Sequence, residues 1–369
     1  MTTAAVASGI GVEGLAVSAY EVPTDAPESD GTFEWDSTTI VVVEAAGGGE
    51  TGLGYTYTDV SAGTLIESKL AQVATGADAT SPPDTWTRMQ AAVRNVGRPG
   101  LASMAIAAVD VALWDLKARL LGVPLADALP RFHERVPVYG SGGFTSYSDE
   151  RLGEQLASWA DAGIRRVKMK VGRDPSADVE RVGVALSAIG DGVELMVDAN
   201  GAYRRKQALA WAERFAALGV VYFEEPVSSD DLEGLRLVRD RSPAGLEIAA
   251  GEYGWDLAYF REMVEAGAVD ILQADVTRCG GITELIRLDG LCKAHQVPFS
   301  AHCAPAVSAH ACCAMETLVH LEYFHDHVRL ERLLFDGTLE AKSGFLRPDR
   351  ARPGLGLELK RADAAAYEI

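Results

Sequence analysis

Apolar positions change their rhythm along this chain of 369 residues. Near the start, short β-branched stretches dominate. Leu15 to Val22 and Thr38 to Glu44 read as strands, the second carrying the run Thr38-Thr39-Ile40-Val41-Val42-Val43. Between them, Pro23 to Thr32 is rich in Pro, Asp, Ser and Gly and predicts a loop. Gly47-Gly48-Gly49 then turns the chain into Gly52–Tyr57. After that the spacing becomes helical: Ile106, Val109, Leu113 and Leu116 recur within a helix predicted from about Ser103 to Leu121. Strands followed by helices predict a separate α+β domain over residues 1–130, with residues 23–35 as its most loop-like part.

From Val136 the pattern alternates. Short β-branched runs at Val136–Tyr139, Arg166–Val171, Glu194–Asp198, Val220–Glu224, Glu247–Ala250, Ile271–Gln273, Pro298–Ser300 and Val319–Tyr323 mostly precede amphipathic helical stretches. This alternation predicts an α/β barrel over residues 131–335. The eighth run carries the faintest signal, so seven and eight units both stay open. Residues 336–369 are rich in Gly and Pro and cannot form another unit; they are expected to return to the first domain. There is no true sequence repeat or low-complexity tract.

Polar residues then fall into step with the units. Lys170, Asp198, Glu224, Glu252, Asp275 and His302 follow one another at intervals of 28, 26, 28, 23 and 27 residues. A barrel spends about 30 residues per strand and helix, and its active site gathers side chains from successive strand ends. Residues one unit apart therefore converge on one mouth.

Their types divide the set into three. Asp198, Glu224 and Glu252 offer hard oxygen donors, which suit Mg²⁺ and its near-octahedral oxygen coordination. A lone carboxylate commonly caps a helix or pairs a surface cation; three in phase, two of them inside apolar runs, do not fit that description. Lys168 and Lys170 are two apart and share one face of a strand. Two ammoniums on an interior face repel and are desolvated, so their pKa is expected to fall, which makes Lys170 a candidate general base. Asp275 and His302 sit one unit apart, where a carboxylate fixes the imidazole tautomer and supports its protonated form. Glu322, at the eighth strand end, is expected to hydrogen-bond a substrate oxygen in its protonated form. His325-Asp326-His327 follows directly, with His325 as a candidate substrate contact. His133, His295, His310 and His320 fall outside this register.

Composition narrows the partners. With 34 Lys and Arg against 53 Asp and Glu, the net charge is −19, which argues against nucleic acid and anionic membranes. An anionic small substrate stays compatible, because a buried metal and lysines reverse the field locally. The five cysteines, Cys279, Cys292, Cys303, Cys312 and Cys313, contain no Cys-x-x-Cys pair and read as free thiols in a reducing cytoplasm. The stretch Met1 to Ile10 lacks the basic region of a signal peptide, and no apolar window is long enough for a membrane span.

Several motifs together resemble the enolase superfamily, in its mandelate racemase-like subgroup. They are Lys168-Met169-Lys170, Val197-Asp198-Ala199-Asn200, Phe223-Glu224-Glu225-Pro226, Gly251-Glu252, Asp275 followed by Cys279-Gly280-Gly281, His302, and the helical segment Val109 to Leu116. The resemblance spans essentially the whole chain. It implies a modified (β/α)₇β TIM-type barrel under an N-terminal α+β capping domain that the C-terminal segment completes. It implies Asp198, Glu224 and Glu252 as Mg²⁺ ligands and Lys170 as one base, with Lys168 as the lysine that lowers its pKa and faces the substrate carboxylate. It further implies His302–Asp275 as the opposite base or acid, and Glu322 as the carboxyl facing an enolate. Asn200, just past the strand end that carries Asp198, is a candidate substrate contact. The shared step is removal of the proton α to a carboxylate. A leaving β-hydroxyl turns that step into dehydration; return of a proton on the opposite face makes it racemisation or epimerisation. The loop at residues 23–35 corresponds to the family's substrate-selecting loop, with Asp30 and Thr32 as polar contacts and Trp35 as an apolar wall. A polar lid favours a polyhydroxylated acid, so the expected reaction is dehydration of an acid sugar, with racemisation or epimerisation of a 2-hydroxy acid as the alternative and cycloisomerisation of a lactone as a third. A homo-oligomer is also an expectation of the resemblance.

Overall fold

The structure, a computed structural model, describes residues 9–369. Most of the stretch Met1 to Ile10, read above for a leader, lies outside the described residues.

Three antiparallel strands, β1 (Gly14–Ser29), β2 (Glu34–Gly47) and β3 (Glu50–Tyr57), form the first sheet in the order β1-β2-β3. The β-branched run explains why β2 is central. Ile40, Val41, Val42 and Val43 are all fully buried, as expected of a strand covered on both faces. Val41 and Val43 pack with Ile106, Val109 and Leu113 of the helix Leu101–Leu120, whereas Ile40 and Val42 belong to the core shared with the barrel. The helix rests directly on β3. A Cβ at Gly52 or Gly54 would stand 2.2 Å from the carbonyl oxygens of Ala112 or Ala108, so only glycine permits this approach.

The expected loop at Pro23–Thr32 is instead mostly strand. β1 runs through to Ser29 with its register interrupted between Pro23 and Glu28, and the turn is confined to Asp30–Phe33. Proline and polar residues are tolerated because β1 is an edge strand and the irregularity removes the need for proline to donate.

Eight parallel strands close the barrel: β4 (Val136–Gly142), β5 (Arg166–Lys170), β6 (Glu194–Asp198), β7 (Tyr222–Glu224), β8 (Glu247–Ala250), β9 (Ile271–Asp275), β10 (Phe299–His302) and β11 (Leu318–Phe324). The faint eighth strand is real, and its pairing with β4 closes the cylinder. A helix, His325–Leu334, follows it.

Two buried carboxylates fasten the layers. Asp110 accepts hydrogen bonds from Thr283 N (2.8 Å) and Oγ1 (2.6 Å), joining the capping helix to the barrel helix Ile282–His295. Asp115 accepts from Leu53 N (2.7 Å) and Leu355 N (2.5 Å), joining the same helix to β3 and to the C-terminal segment. That segment reaches both domains. Phe345–Leu346 pairs antiparallel with the start of β4, while Ile369 N donates to Ala19 O and Tyr367 O accepts from Glu21 N. No helix among the described residues is long and apolar enough to cross a membrane, and all five cysteines are buried and free.

Candidate active site

Strand register turns the spacing of polar residues into a row. Lys170 pairs with Asp198 across β5 and β6, Asp198 with Glu224 across β6 and β7, and Asp275 with His302 across β9 and β10. Glu252 lies two residues beyond β8. All six sit at the carboxyl ends of barrel strands and all are buried. One layer deeper, Lys168 pairs with Met196 and Met196 with Tyr222. Val167, Met169 and Val171 point the other way, into the packing between strands and helices.

Carboxylate oxygens of Asp198, Glu224 and Glu252 lie within 4.8 Å of one another. Lys170 Nζ donates to Asp198 Oδ2 at 2.5 Å. Lys168 Nζ reaches Glu224 Oε2 (2.7 Å), Glu322 Oε1 (2.9 Å) and Asp198 Oδ2 (3.5 Å). Glu224 Oε1 is buried and has no hydrogen-bond partner among the described residues. Burial and the neighbouring Asp198 push its carboxyl well above the usual range. Converging buried carboxylates with an oxygen left over fit a divalent cation with oxygen ligands.

Across the cavity, His302 Nδ1 lies 2.8 Å from Asp275 Oδ2, and His302 Nε2 lies 3.1 Å from Glu252 Oε2 and 3.4 Å from Glu322 Oε2. Asp275 Oδ1 is held by Thr277 N (2.6 Å) and Oγ1 (2.7 Å). Burial disfavours charge on His302, but Cys303 first and then Glu252, Glu322 and Asp275 outweigh it and hold the imidazole well above its usual range.

Two electrostatic expectations are overturned. Burial does oppose charge on the lysines, yet Glu224 and Glu322 hold Lys168 well above the lysine range, and Asp198 does the same for Lys170. Repulsion between the two ammoniums is the weaker effect: at Lys170 the attraction of Asp198 outweighs the repulsion of Lys168. Glu322 is ionised, not protonated: burial raises its pKa, but Lys168 and His302 outweigh burial and carry it well below the carboxylate range.

The row opens into a cavity of about 570 Å³ under the β1–β2 hairpin, lined among others by Lys170, Asn200, Glu252, His302 and Glu322 from the barrel and by Asp30, Thr32 and Trp35 from the cap. Asn200, in the left-handed region at φ 46°, donates its N–H to Asp198 Oδ1 at 2.9 Å, and its own Oδ1 is buried without a partner among the described residues. Asp30 Oδ1 is occupied by the turn, accepting from Thr32 N (2.6 Å) and Phe33 N (2.7 Å). Thr32 Oγ1 donates to that same oxygen at 3.2 Å. Trp35 Nε1 donates to Glu28 Oε2 at 2.9 Å, and its ring stacks with Phe33.

His325 is not brought into this cavity. Its Nε2 faces Asp25 Oδ2 at 3.1 Å, and His327 lines the wall instead. The two residues begin a helix, where a step of two positions turns a side chain by about 200°. Sequence reasoning also missed Arg278 and Cys303. Arg278 Nη1 lies 3.2 Å from Glu252 Oε1, and Cys303 Sγ 3.3 Å from His302 Nε2. Their signal was position alone: Arg278 follows Asp275 by one turn, and Cys303 directly follows His302.

A capping domain over an eight-stranded barrel, with a carboxylate triad between a lysine face and a histidine–aspartate face, defines a class of enzymes that work on carbon acids. Family models agree: residues 17–129 match the mandelate racemase / muconate lactonizing enzyme N-terminal domain, and residues 151–364 match the enolase C-terminal domain-like family. The chain belongs to the mandelate racemase/muconate lactonizing enzyme family of the enolase superfamily. Among curated relatives, it is 32% identical to 3,6-anhydro-α-L-galactonate cycloisomerase of Streptomyces coelicolor, over 95% of this chain and 98% of that one. Among solved structures, a mandelate racemase/muconate lactonizing enzyme-like protein from Rubrobacter xylanophilus is 70% identical with a TM-score of 0.96, covering 97% of this chain and 100% of that chain. L-talarate/galactarate dehydratase from Salmonella typhimurium LT2, liganded with Mg and L-lyxarohydroxamate, has a TM-score of 0.90 at 26% identity, covering 100% of this chain and 95% of that chain.

Proposed function

We propose that this protein is a Mg²⁺-dependent dehydratase of an acid sugar. The observation that carries the reading is the placement of Lys170 and His302 at one cavity that Glu252 also lines, with Glu252 converging on the buried carboxylates Asp198 and Glu224. Asp198, Glu224 and Glu252 would hold the ion; the unpartnered Glu224 Oε1 and the Mg-liganded dehydratase neighbour support that assignment. Bound Mg²⁺ supplies Lewis-acid stabilisation of the negative charge that develops on a substrate carboxylate.

The side chains do the rest. Lys170 would take the proton from the carbon α to the carboxylate as the neutral amine, which requires a cation bound at the triad to draw Asp198 away from it, because Asp198 otherwise keeps the ammonium charged. His302, held as imidazolium beside Asp275, donates its proton to the β-hydroxyl. The C–H and C–O bonds break, water leaves, and the resulting enol becomes a 2-keto-3-deoxy acid. The cavity volume lies within the ordinary range for small-molecule sites, about 300–1,000 Å³.

A second reading, racemase or epimerase of a 2-hydroxy acid, keeps the same residues. It is favoured by having an acid/base group of each kind in place, because His302 can return a proton to the carbon instead of the oxygen.

The test is incubation with a library of acid sugars in D₂O with Mg²⁺. A 2-keto-3-deoxy product supports dehydration. Deuterium exchange at Cα without loss of water points to the racemase, and absence of both on every acid rejects both readings. Lys170→Ala and His302→Asn should each lower turnover by about 10²–10⁴-fold; full activity in both would refute the two-group assignment.

A further inference from the structure

The cavity is electrically unequal from one pole to the other. At the catalytic pole its cations are Lys170 and Arg278, and both are already matched. Lys170 meets Asp198, and Arg278 meets Glu252 (3.2 Å) and Asp275 (3.6 Å). The facing wall comes from the cap. It supplies the carboxylates of Asp30 and Asp59 and the hydroxyl-bearing Thr32, Ser37, Thr39 and Thr58. Among the described residues, no lysine or arginine of the cap lines the cavity.

His327 completes that wall from the barrel side. Its ring lies flat on Tyr57, with centroids 3.5 Å apart and planes 12° apart. Its Nδ1 accepts from Ala304 N at 3.3 Å, so the proton of the neutral ring sits on Nε2, which is a donor. Burial draws the pKa of this imidazole down to about 3, so it adds no positive charge.

A carboxylate pressed against this wall would meet like charges and no counter-ion, an arrangement that costs heavily where water is partly excluded. A hydroxyl suits it, since hydroxyls donate to carboxylates and accept from neutral donors. We infer that the substrate is a monocarboxylate of the aldonate type: its single carboxylate lies at the catalytic pole, its hydroxylated end meets the cap, and the corresponding dicarboxylates are disfavoured. This inference rests on the function proposed above.

The experiment compares kcat/KM, and Cα exchange in D₂O, for five- and six-carbon aldonates and for aldarates of matching configuration. Aldonates are expected to exceed aldarates by about 10-fold or more, the scale on which opposed charges discriminate. Asp59→Asn keeps the oxygen that accepts from Ser61 N at 2.8 Å while removing one negative charge. It should raise the aldarate-to-aldonate ratio by about 3-fold, a reduced effect because Asp59 is exposed and screened. Equal or better turnover of aldarates overturns the inference and leaves the proposed dehydration intact. A ratio that Asp59→Asn does not move overturns its electrostatic basis. Failure of both acid classes to exchange or react overturns the functional reading and this inference with it.

Discussion

Asp275 and His302 meet through Oδ2 and Nδ1 at 2.8 Å, from adjacent strands paired residue to residue. Asp275 is ionised in this setting: burial raises its pKa, but His302 and Arg278 outweigh burial and bring it below the usual range. An ionised carboxylate accepts, so His302 Nδ1 carries the donated proton and Nε2 is the nitrogen left for substrate. Asp275→Asn would offer Nδ1 either an amide N–H, which demands the other tautomer, or a weaker neutral acceptor. We expect kcat to fall by about 10²-fold or more with KM little changed, because the contact orients a proton donor and does not bind substrate. Steady-state kinetics with both constants resolved checks this; a pure KM effect would contradict it.

Metal loading should be visible without any substrate. Mg²⁺ binding only the folded protein raises its stability by about 2.7 kcal/mol at a concentration 100 times its dissociation constant. Thermal denaturation should therefore shift upward with Mg²⁺ and return on chelation. Glu224→Gln removes one carboxylate ligand from the triad and should abolish most of that shift. A wild-type midpoint indifferent to Mg²⁺ would count against the triad as a cation site.

Glu331 makes stability depend on pH. Burial pushes its carboxyl up to about 8, despite hydrogen bonds from Tyr55 Oη (2.6 Å) and Ala306 N (3.2 Å) that pull it down. The folded state thus holds a proton that the unfolded chain releases near the ordinary value of 4.5. The folded protein binds more protons than the unfolded chain in this window, so the group's contribution is fully present below about 4.5 and is lost as pH rises towards about 8. Glu331→Gln keeps an acceptor for Tyr55 and cannot ionise. Its loss of stability between about pH 5 and about pH 8.5, followed by urea denaturation, should be smaller than that of the wild type by roughly 1–3 kcal/mol. Parallel pH profiles would reject this assignment.

Asp30 shapes the hairpin tip by accepting from Thr32 N and Phe33 N. Asp30→Ala leaves both donors without that partner and should loosen the tip by about 1 kcal/mol, in the range of a lost cap. The expected outcome is a KM several-fold higher with kcat reduced less. Asp30→Asn retains the accepting oxygen and should recover most of the loss. A variant pair with identical kinetics would show that turn capping is not what Asp30 contributes.

How much of this can be read from the chain depends on distance along it. Lys168 and Lys170 are legible as an inward-facing pair because alternation along one strand is a local rule. The run Thr38 to Val43 reads as strand for a similar reason: β-branched side chains suit a doubly covered strand, and Ile40 to Val43 prove fully buried. The hairpin arm at Pro23–Ser29 reads as loop because its composition suits a turn, and nothing local announces that β2 will pair with it. His325 competes with His327 on equal terms in the sequence, because the helix that turns one away from the cavity starts at the very residue in question.

Unit spacing and residue type, both properties of the linear chain, are enough to name the barrel and the lysine, carboxylate and histidine groups at its mouth, because each repeats a local strand-and-helix length. Charge states, the turn role of Asp30 and the anionic cap wall are not determined that way. They depend on which groups lie within a few ångströms after folding: Glu224 and Glu322 keep Lys168 charged, and Lys168 and His302 keep Glu322 ionised. Electrostatic energy varies with separation in space and with exclusion of water, and neither quantity is written in the order of residues.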